Sequence, residues 1–474
     1  MLPLQNTNIV AIATPSGAGA IGIIRISGPE AIAITQQIFK GKKLADQATH
    51  TLHFGHIVLP KYQTMALSAI PAEGIIDEVV LSIFKGPKSY TGDDTIEISC
   101  HGSSYILQRV LHLLIESGAQ LASPGAFTQR AFLNGKMDLT QAEAVADLIA
   151  SSHKAAHDIA MHQMRGGFSK ALQLLRDELI HFAALIELEL DFSQEDVAFA
   201  DRSALIQLLE KIEQHIQPII QSFQYGNVIK AGIPVAIVGK PNAGKSTLLN
   251  ALLQEDRAIV STIAGTTRDT IEEVFTIEGI PFRLIDTAGL RDTEDVIEKI
   301  GIEKAKEKMD QARIILYLID AQEPIHETVF HDIQQYYRND IPFLICLTKL
   351  DLISADKLAT WSEYLSSKQL RAIAFAAKTG EQLTQVQNAL VAYAKSFAGD
   401  ANELIVTNER HHEALLNALT ALRDIKAGLA QDLTGDLLSL DIRRCLYAIG
   451  SITGSIQHDK DILGAIFGKF CIGK

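Results

Sequence analysis

The chain has 474 residues, of which 47% are hydrophobic and 21% charged, with a formal net charge of −13. That length is too great for one ordinary domain and suggests about three, each with its own core, in a chain of soluble globular composition. The negative charge argues against non-specific binding to nucleic acid, though it leaves room for a local basic patch, and no apolar run is long enough to span a bilayer.

No Lys or Arg precedes Arg25, and the apolar stretch before it is broken by Pro15, Ser16, Gly17 and Gly19, so no targeting leader is expected and the expected location is cytoplasmic, away from membranes. Four cysteines, Cys100, Cys346, Cys445 and Cys471, show neither a C-x-x-C pair nor metal spacing, which fits reduced thiols. The terminal Lys474 argues against a lipidation box at Cys471.

Up to about Leu139, β-rich runs at Ile21–Ile26, Val79–Phe84 and Thr95–Cys100 alternate with helical stretches such as Ile106–Ile115, under dense Gly/Pro punctuation, so this part reads as α+β. From Thr140 to about Gln221 proline nearly vanishes. Ala142, Val145, Ala146 and Ile149 share one helix face, and Leu172, Leu175 and Leu179 share another, which predicts long amphipathic helices. His153 and His157 stand at i, i+4 spacing, but without a third ligand a solvated helix face is the simpler reading.

Ile233–Val238 is a short β run entering a Gly-rich turn. Strand-like runs follow at Phe282–Ile285, Ile314–Ile319, Phe343–Leu347 and Ile373–Ala376, with helical stretches such as Val296–Met309 between them. Strands alternating with helices predict a mostly parallel sheet. Helical texture returns at Glu409–Gly428 and Asp436–Ile452, so the economical architecture is a helical domain with the α/β domain inserted into it.

Gly239-Lys240-Pro241-Asn242-Ala243-Gly244-Lys245-Ser246 is the phosphate-loop pattern, and it stands where that pattern must, between a strand and the helix Thr247–Leu253. The glycines let backbone N–H groups face phosphates, Lys245 reaches the β and γ phosphates, and the Ser246 hydroxyl suits Mg²⁺. Asp286-Thr287-Ala288-Gly289 ends a strand, where an Asp holds Mg²⁺ through water and a Gly N–H senses the γ-phosphate. Thr348-Lys349-Leu350-Asp351 ends another. Guanine offers an N1–H beside an amino group, a donor pair that a carboxylate accepts and adenine lacks, so Asp351 selects GTP over ATP.

This piece resembles the N/T-K-x-D element of GTPases, with Thr for the commoner Asn. Ala376-Ala377-Lys378 stands where those proteins have Ser-Ala-Lys, a tolerable change with some expected loss of base affinity. Gly265-Thr266-Thr267-Arg268-Asp269 reads as a switch loop. Leu290 occupies the place of a water-orienting Gln and cannot do that work, so the acidic segment Asp292, Glu294, Asp295, Glu298 is the natural substitute. No arginine finger is evident, and a monovalent cation held by the Asn242 amide oxygen would supply the missing charge.

With what flanks them, these motifs closely resemble the MnmE (TrmE) family of tRNA-modification GTPases. The marks are Ala13-Thr14-Pro15, Gly22-Ile23-Ile24-Arg25-Ile26-Ser27-Gly28, Tyr90-Thr91-Gly92-Asp93-Asp94, Pro124-Gly125-Ala126-Phe127, Arg130-Ala131-Phe132-Leu133-Asn134-Gly135-Lys136 and the closing Phe470-Cys471-Ile472-Gly473-Lys474. The resemblance covers essentially the whole chain. It implies a folate-binding, dimerising domain at 1–135, a helical domain at 136–230 and 398–474, and a Ras-like P-loop G domain with a mostly parallel sheet inserted at 231–397.

It further implies potassium-dependent G-domain dimerisation, a homodimer, and a heterotetramer with the flavoprotein MnmG. Together they would add an aminomethyl-type or carboxymethylaminomethyl group to C5 of the wobble uridine of tRNA, with 5-formyl- or 5,10-methylene-tetrahydrofolate as one-carbon donor. By position, Asn242, Ser261, Ile263 and Thr266 match the K⁺ site and Ser246 and Thr267 the Mg²⁺ ligands. Thr262, Ala264 and Gly265 lie along the nucleotide with Asn242 to Thr247. Glu298 matches the general base, acting beside Lys245. Arg25, Glu97 and Lys136 match the folate positions, with Lys474 nearby. Cys471 reads equally as a nucleophile or as a small apolar residue packed in the tail.

Two other functions compete. A ribosome-assembly GTPase would share the G motifs but usually carries a basic RNA-binding module, which the flanks do not show. A pure conformational switch, with all uridine chemistry left to the partner, needs the same motifs and is not separable by sequence.

Overall fold

The structure, a computed structural model, describes residues 6–191, 202–256, 273–285, 311–338, 341–398, 405–431, 433–455, 463, 466–468, 470–471 and 473. The chain forms two compact units. One comprises Met1–Ala150, Ala160–Asp201 and Ala427–Lys474, the other Ser151–Ile159 and Arg202–Lys426. Among the described residues no helix is long and apolar enough to cross a membrane.

The first unit is built on a seven-stranded sheet in the order β3-β4-β5-β6-β2-β1-β7. Its strands are β1 (Ile9–Ile12), β2 (Ile21–Ser27), β3 (Phe39–Lys40), β4 (Thr51–Val58), β5 (Ile75–Phe84), β6 (Thr95–His101) and β7 (Gln120–Leu121). All neighbours are antiparallel except β1 and β7. Alternation sets the two faces. Val79, Leu81 and Ile83 of β5 and Ile96 and Ile98 of β6 point into a core closed by Leu107, Val110 and Leu114 of α2 (Ser104–Glu116).

The opposite face carries Arg25, Glu97, Ser82 and Leu52 in one cross-strand row, Ile23, Ser99, Val80 and Phe54 in the next, and Ile21 opposite His101 beyond them. The sheet begins earlier than its apolar run suggests: β5 starts at Ile75 rather than Val79, because Asp77 takes an inward position as the partner of His101.

Also in this unit are α3 (Ala126–Leu133), α4 (Leu139–Ala150), α6 (Gly167–Asp191) and α13 (Gly435–Thr453). The closing residues return to the start of the chain. Phe467 and Phe470 pack with Leu139 and Ala142 of α4, and the tail lies against Gly125, whose φ of +68° no β-carbon would tolerate there, since one would meet the Phe467 carbonyl oxygen at 2.7 Å.

The second unit holds a six-stranded sheet in the order β13-β12-β11-β8-β10-β9. The strands are β8 (Ile233–Gly239), β9 (Glu273–Ile277), β10 (Ile280–Leu284), β11 (Ile314–Asp320), β12 (Phe343–Thr348) and β13 (Ala372–Ala374). All neighbours are parallel except β9 against β10. Central β11 is buried along Ile314–Ile319, the continuous apolar run a parallel strand covered on both faces requires.

Around this sheet, α8 (Lys245–Asp256) and the helix Leu383–Ala398 pack on one side, and Glu327–Tyr336 and Ala355–Ser367 on the other. Two long helices, α7 (Arg202–Ala231) and Glu409–Ala430, are tied by the Glu213 carboxylate to Arg423 (3.4 Å) and Lys426 (3.0 Å).

Candidate nucleotide and one-carbon sites

The carboxyl ends of the parallel strands gather the nucleotide motifs, where ligands of open α/β sheets bind. From β8 the chain enters the phosphate loop, in which Asn242 (φ +63°) and Gly244 (φ +90°) take left-handed conformations before α8 begins at Lys245. Residues turned this way direct successive N–H groups inward, and the helix N-terminus adds its dipole. The Lys245 ammonium spans the loop, donating to the carbonyl oxygens of Gly239 (2.8 Å) and Lys240 (2.9 Å). Asn242, Ser246 and Thr247 are exposed at the loop surface, whereas Ala243 is buried beneath it.

Thr348, at the end of β12 and only 2% exposed, joins the T-K-x-D turn to the phosphate loop. Its hydroxyl donates to the Ala243 carbonyl (2.8 Å), with the Ile319 carbonyl at 3.2 Å. The next residue, Lys349 (φ +58°), is pinned to Asp320 at the end of β11 (Nζ to Oδ2, 2.6 Å). Asp351 stands exposed on the 3₁₀ turn Leu350–Leu352.

The Leu350 N–H donates to the Phe375 carbonyl (3.2 Å), linking this turn to the one carrying Ala376, Ala377 and Lys378. The sequence suggests a strand through Ala376, but β13 ends at Ala374 and Ala376 is fully buried, its N–H given to Glu381 (2.9 Å). A serine hydroxyl there would need a partner in the core, so alanine suits the position. The N–H groups of Ala377 and Lys378 donate to no other described residue.

Ser261, Thr262, Ile263, Ala264, Gly265, Thr266, Thr267, Asp286, Thr287, Ala288, Gly289 and Glu298 lie outside the described residues, as does Lys474.

In the first unit, Arg25 and Glu97 face each other across β2 and β6. Glu97 Oε1 accepts from Arg25 Nε (2.9 Å) and Nη2 (2.7 Å), and Arg25 Nη1 donates to the Gly473 carbonyl of the tail (3.4 Å). The guanidinium lies 5.7 Å from the centres of both the Tyr90 and Phe127 rings. Burial pushes the Tyr90 hydroxyl above its usual pKa, against the lowering effects of the Thr128 hydrogen bond and of Arg25.

The Gly125 N–H points at the Cys471 carbonyl (3.5 Å), so the exposed Cys471 thiol belongs to the same end of the sheet. The other thiols are inert by comparison. Burial raises Cys346 and Cys445 to about 12, and Cys100, with Asp77 adding to the burial effect, to about 11. Lys136 reaches the Pro87 carbonyl (2.8 Å), on the loop that carries Tyr90.

The sequence marks Arg130 and Asp93 only as parts of family motifs and gives neither a role in holding this corner. Arg130, 3% exposed, donates to the Ser27 carbonyl (2.9 Å) and to Thr7 Oγ1 (3.0 Å) and lies 3.4 Å from Asp93; burial lowers its pKa, and Asp93 opposes that. The signal was an arginine inside the apolar stretch Ala126–Leu133, a residue type rarely buried without partners.

A phosphate loop opening α8, hydrogen-bonded to a T-K-x-D turn at the end of β12, two strands from β8 in the same parallel sheet, defines a P-loop protein of the GTPase class. Family models agree and go further. One described as MnmE helical domain matches residues 139–471, and one described as GTP-binding protein TrmE N-terminus matches residues 8–136. A protein of Flavobacterium johnsoniae named tRNA modification GTPase MnmE is 51% identical, over 99% of this chain and 100% of its own. Proteins of the same name from Christiangramia forsetii and Bacteroides thetaiotaomicron are each 50% identical over 99% of this chain, covering 99% and 100% of their own lengths. The chain belongs to the MnmE (TrmE) family of tRNA modification GTPases.

Proposed function

We propose that this chain is a potassium-activated GTP hydrolase that works as a homodimer in the cytoplasm, in a heterotetramer with the flavoprotein MnmG. Its product is an aminomethyl-type or carboxymethylaminomethyl group on C5 of the wobble uridine of tRNA, built with a tetrahydrofolate one-carbon unit. The helical domain at 136–230 and 398–474 is interrupted by the G domain at 231–397. The observation that carries the reading is the Thr348 bridge, which fixes the phosphate-binding and base-binding loops to each other. Around GTP, Lys245 would meet the β and γ phosphates, Ser246 and Thr267 would hold Mg²⁺, and Asp351 would read guanine. Asn242, Ser261, Ile263 and Thr266 would hold K⁺, which would supply the positive charge of an absent arginine finger, and Glu298 would align water.

The folate reading rests on the corner where Arg25, Glu97, Lys136 and the tail converge. Glu97 Oε1 is engaged by Arg25, so a pterin N–H and amino group would be met through Oε2 or by displacing that bond, and the cations face the glutamate carboxylates. The homodimer is supported by the open sheet face, where Leu52 is 68%, Ile21 66% and Phe54 63% exposed, an apolar surface of the kind that marks an interaction site.

The decisive test supplies the chain and its flavoprotein partner with GTP, tRNA and a tetrahydrofolate labelled in its one-carbon unit. Mass spectrometry of the wobble nucleoside should show the label at C5. An unlabelled product would remove folate from the reading, and no product would remove the tRNA chemistry while leaving the GTPase.

A further inference from the structure

The loops at one end of the N-terminal sheet gather lysines that neither the nucleotide site nor Arg25 uses. Lys42 and Lys43 lie on the chain leaving β3, and Lys85 and Lys88 on the turn leaving β5. The two segments touch. Lys85 Nζ donates to the Ala45 carbonyl (2.9 Å) and the Lys85 N–H to Thr49 Oγ1 (2.9 Å). Lys136 joins from beyond α3 through the Pro87 carbonyl. Lys43 has Asp46 at 3.2 Å, both side chains open to water, while Lys42 and Lys88 form no ion pair among the described residues. Among these cations the exposed His50 ring stands edge-on to Phe84, 5.5 Å between centres.

Against these five lysines stand Asp46, Asp94, which accepts from the Gly86 N–H (2.9 Å), and Asp93, which lies 3.4 Å from Arg130, so the loops carry a local excess of positive charge in a chain of net charge −13. Exposed charges are screened beyond about 8 Å at physiological ionic strength, so a polyanion arriving here meets the lysines rather than the acidic remainder. The chemistry favours a repeated phosphate over a single anion. Lysines are point charges on flexible stems, with no guanidinium fork to read a particular group, which suits the sequence-independent backbone contacts that position a nucleic acid. The placement says which one: Lys85 and Lys88 share the loop that brings Tyr90 under Arg25, so RNA lying on them passes the candidate one-carbon site.

The geometry points to a docking surface for the phosphodiester backbone of tRNA, formed by Lys42, Lys43, Lys85 and Lys88. This rests on the tRNA reading above and adds that the chain itself, not only its partner, holds the RNA.

The test is the full-length chain with Lys42→Ala, Lys43→Ala and Lys88→Ala together, leaving Lys85 and Lys136 to hold their loops. Binding of a tRNA transcript is followed across a range of NaCl, beside GTP turnover and binding of a folylpolyglutamate. Affinity for tRNA should fall on the order of 10- to 100-fold, and the slope of log affinity against log salt should shrink by about 2 to 3, with GTP turnover unchanged. Unchanged tRNA affinity and slope would overturn the surface, as would a wild-type chain that binds no tRNA. So would a loss confined to folylpolyglutamate, which would make the lysines a site for that tail's carboxylates. GTP turnover by the wild-type chain judges the underlying functional reading separately, since no lysine in the test belongs to the nucleotide site.

Discussion

Thr348 shows what one hydroxyl does at the nucleotide site. Its donor engages the Ala243 carbonyl beneath the phosphate loop, and Thr348→Val keeps the shape while removing that donor. Leaving a buried acceptor short of its partner costs about 1–3 kcal/mol, part of which falls on the loop arrangement that nucleotide requires. GDP and GTP affinity, measured with a fluorescent nucleotide, should weaken by about 5- to 100-fold, whereas Thr348→Ser should bind as the wild type does. Equal affinity in the valine variant would show that the bridge is idle. The sequence identifies position 348 as part of the base-reading motif, where Thr replaces the commoner Asn. It does not reveal that the side chain turns to the phosphate loop, because that bond joins residues 105 apart and no local pattern encodes it.

Regular elements follow their local patterns closely. The run Ile233–Val238 with its Gly-rich turn is β8, and the α-helical spacing of Glu409–Gly428 and Asp436–Ile452 gives helices at Glu409–Ala430 and Gly435–Thr453. Hydrophobic period and Gly punctuation suffice there. The closing tail is the opposite case. Its contacts with Arg25, Gly125 and α4 are long-range, and nothing in Phe470-Cys471-Ile472-Gly473 fixes a direction.

Gly125 is the hinge of that docking. In Gly125→Ala a left-handed backbone costing roughly 1–2 kcal/mol is added to a clash with the Phe467 carbonyl, so the tail should lift. Carboxypeptidase should then trim the C-terminus faster and folate should bind more weakly, with GTP turnover retained. Trimming and folate affinity equal to wild type would mean that the tail is held by other contacts.

At the scale of the molecule, the net charge of −13 conceals a cluster of lysines on the loops at one end of the N-terminal sheet, and 474 residues divide into units with separate cores. Composition shows neither the lysine cluster nor the open apolar face, because both depend on which loops and strands become neighbours. The proposed GTP hydrolysis is driven by association and completed by a monovalent cation. The most direct measurement is steady-state GTP hydrolysis in KCl and in NaCl over a range of protein concentration. Turnover per molecule should rise with concentration in KCl and stay low in NaCl. Equal rates in the two salts, independent of concentration, would contradict potassium-driven dimerisation and leave a GTPase that works by another device.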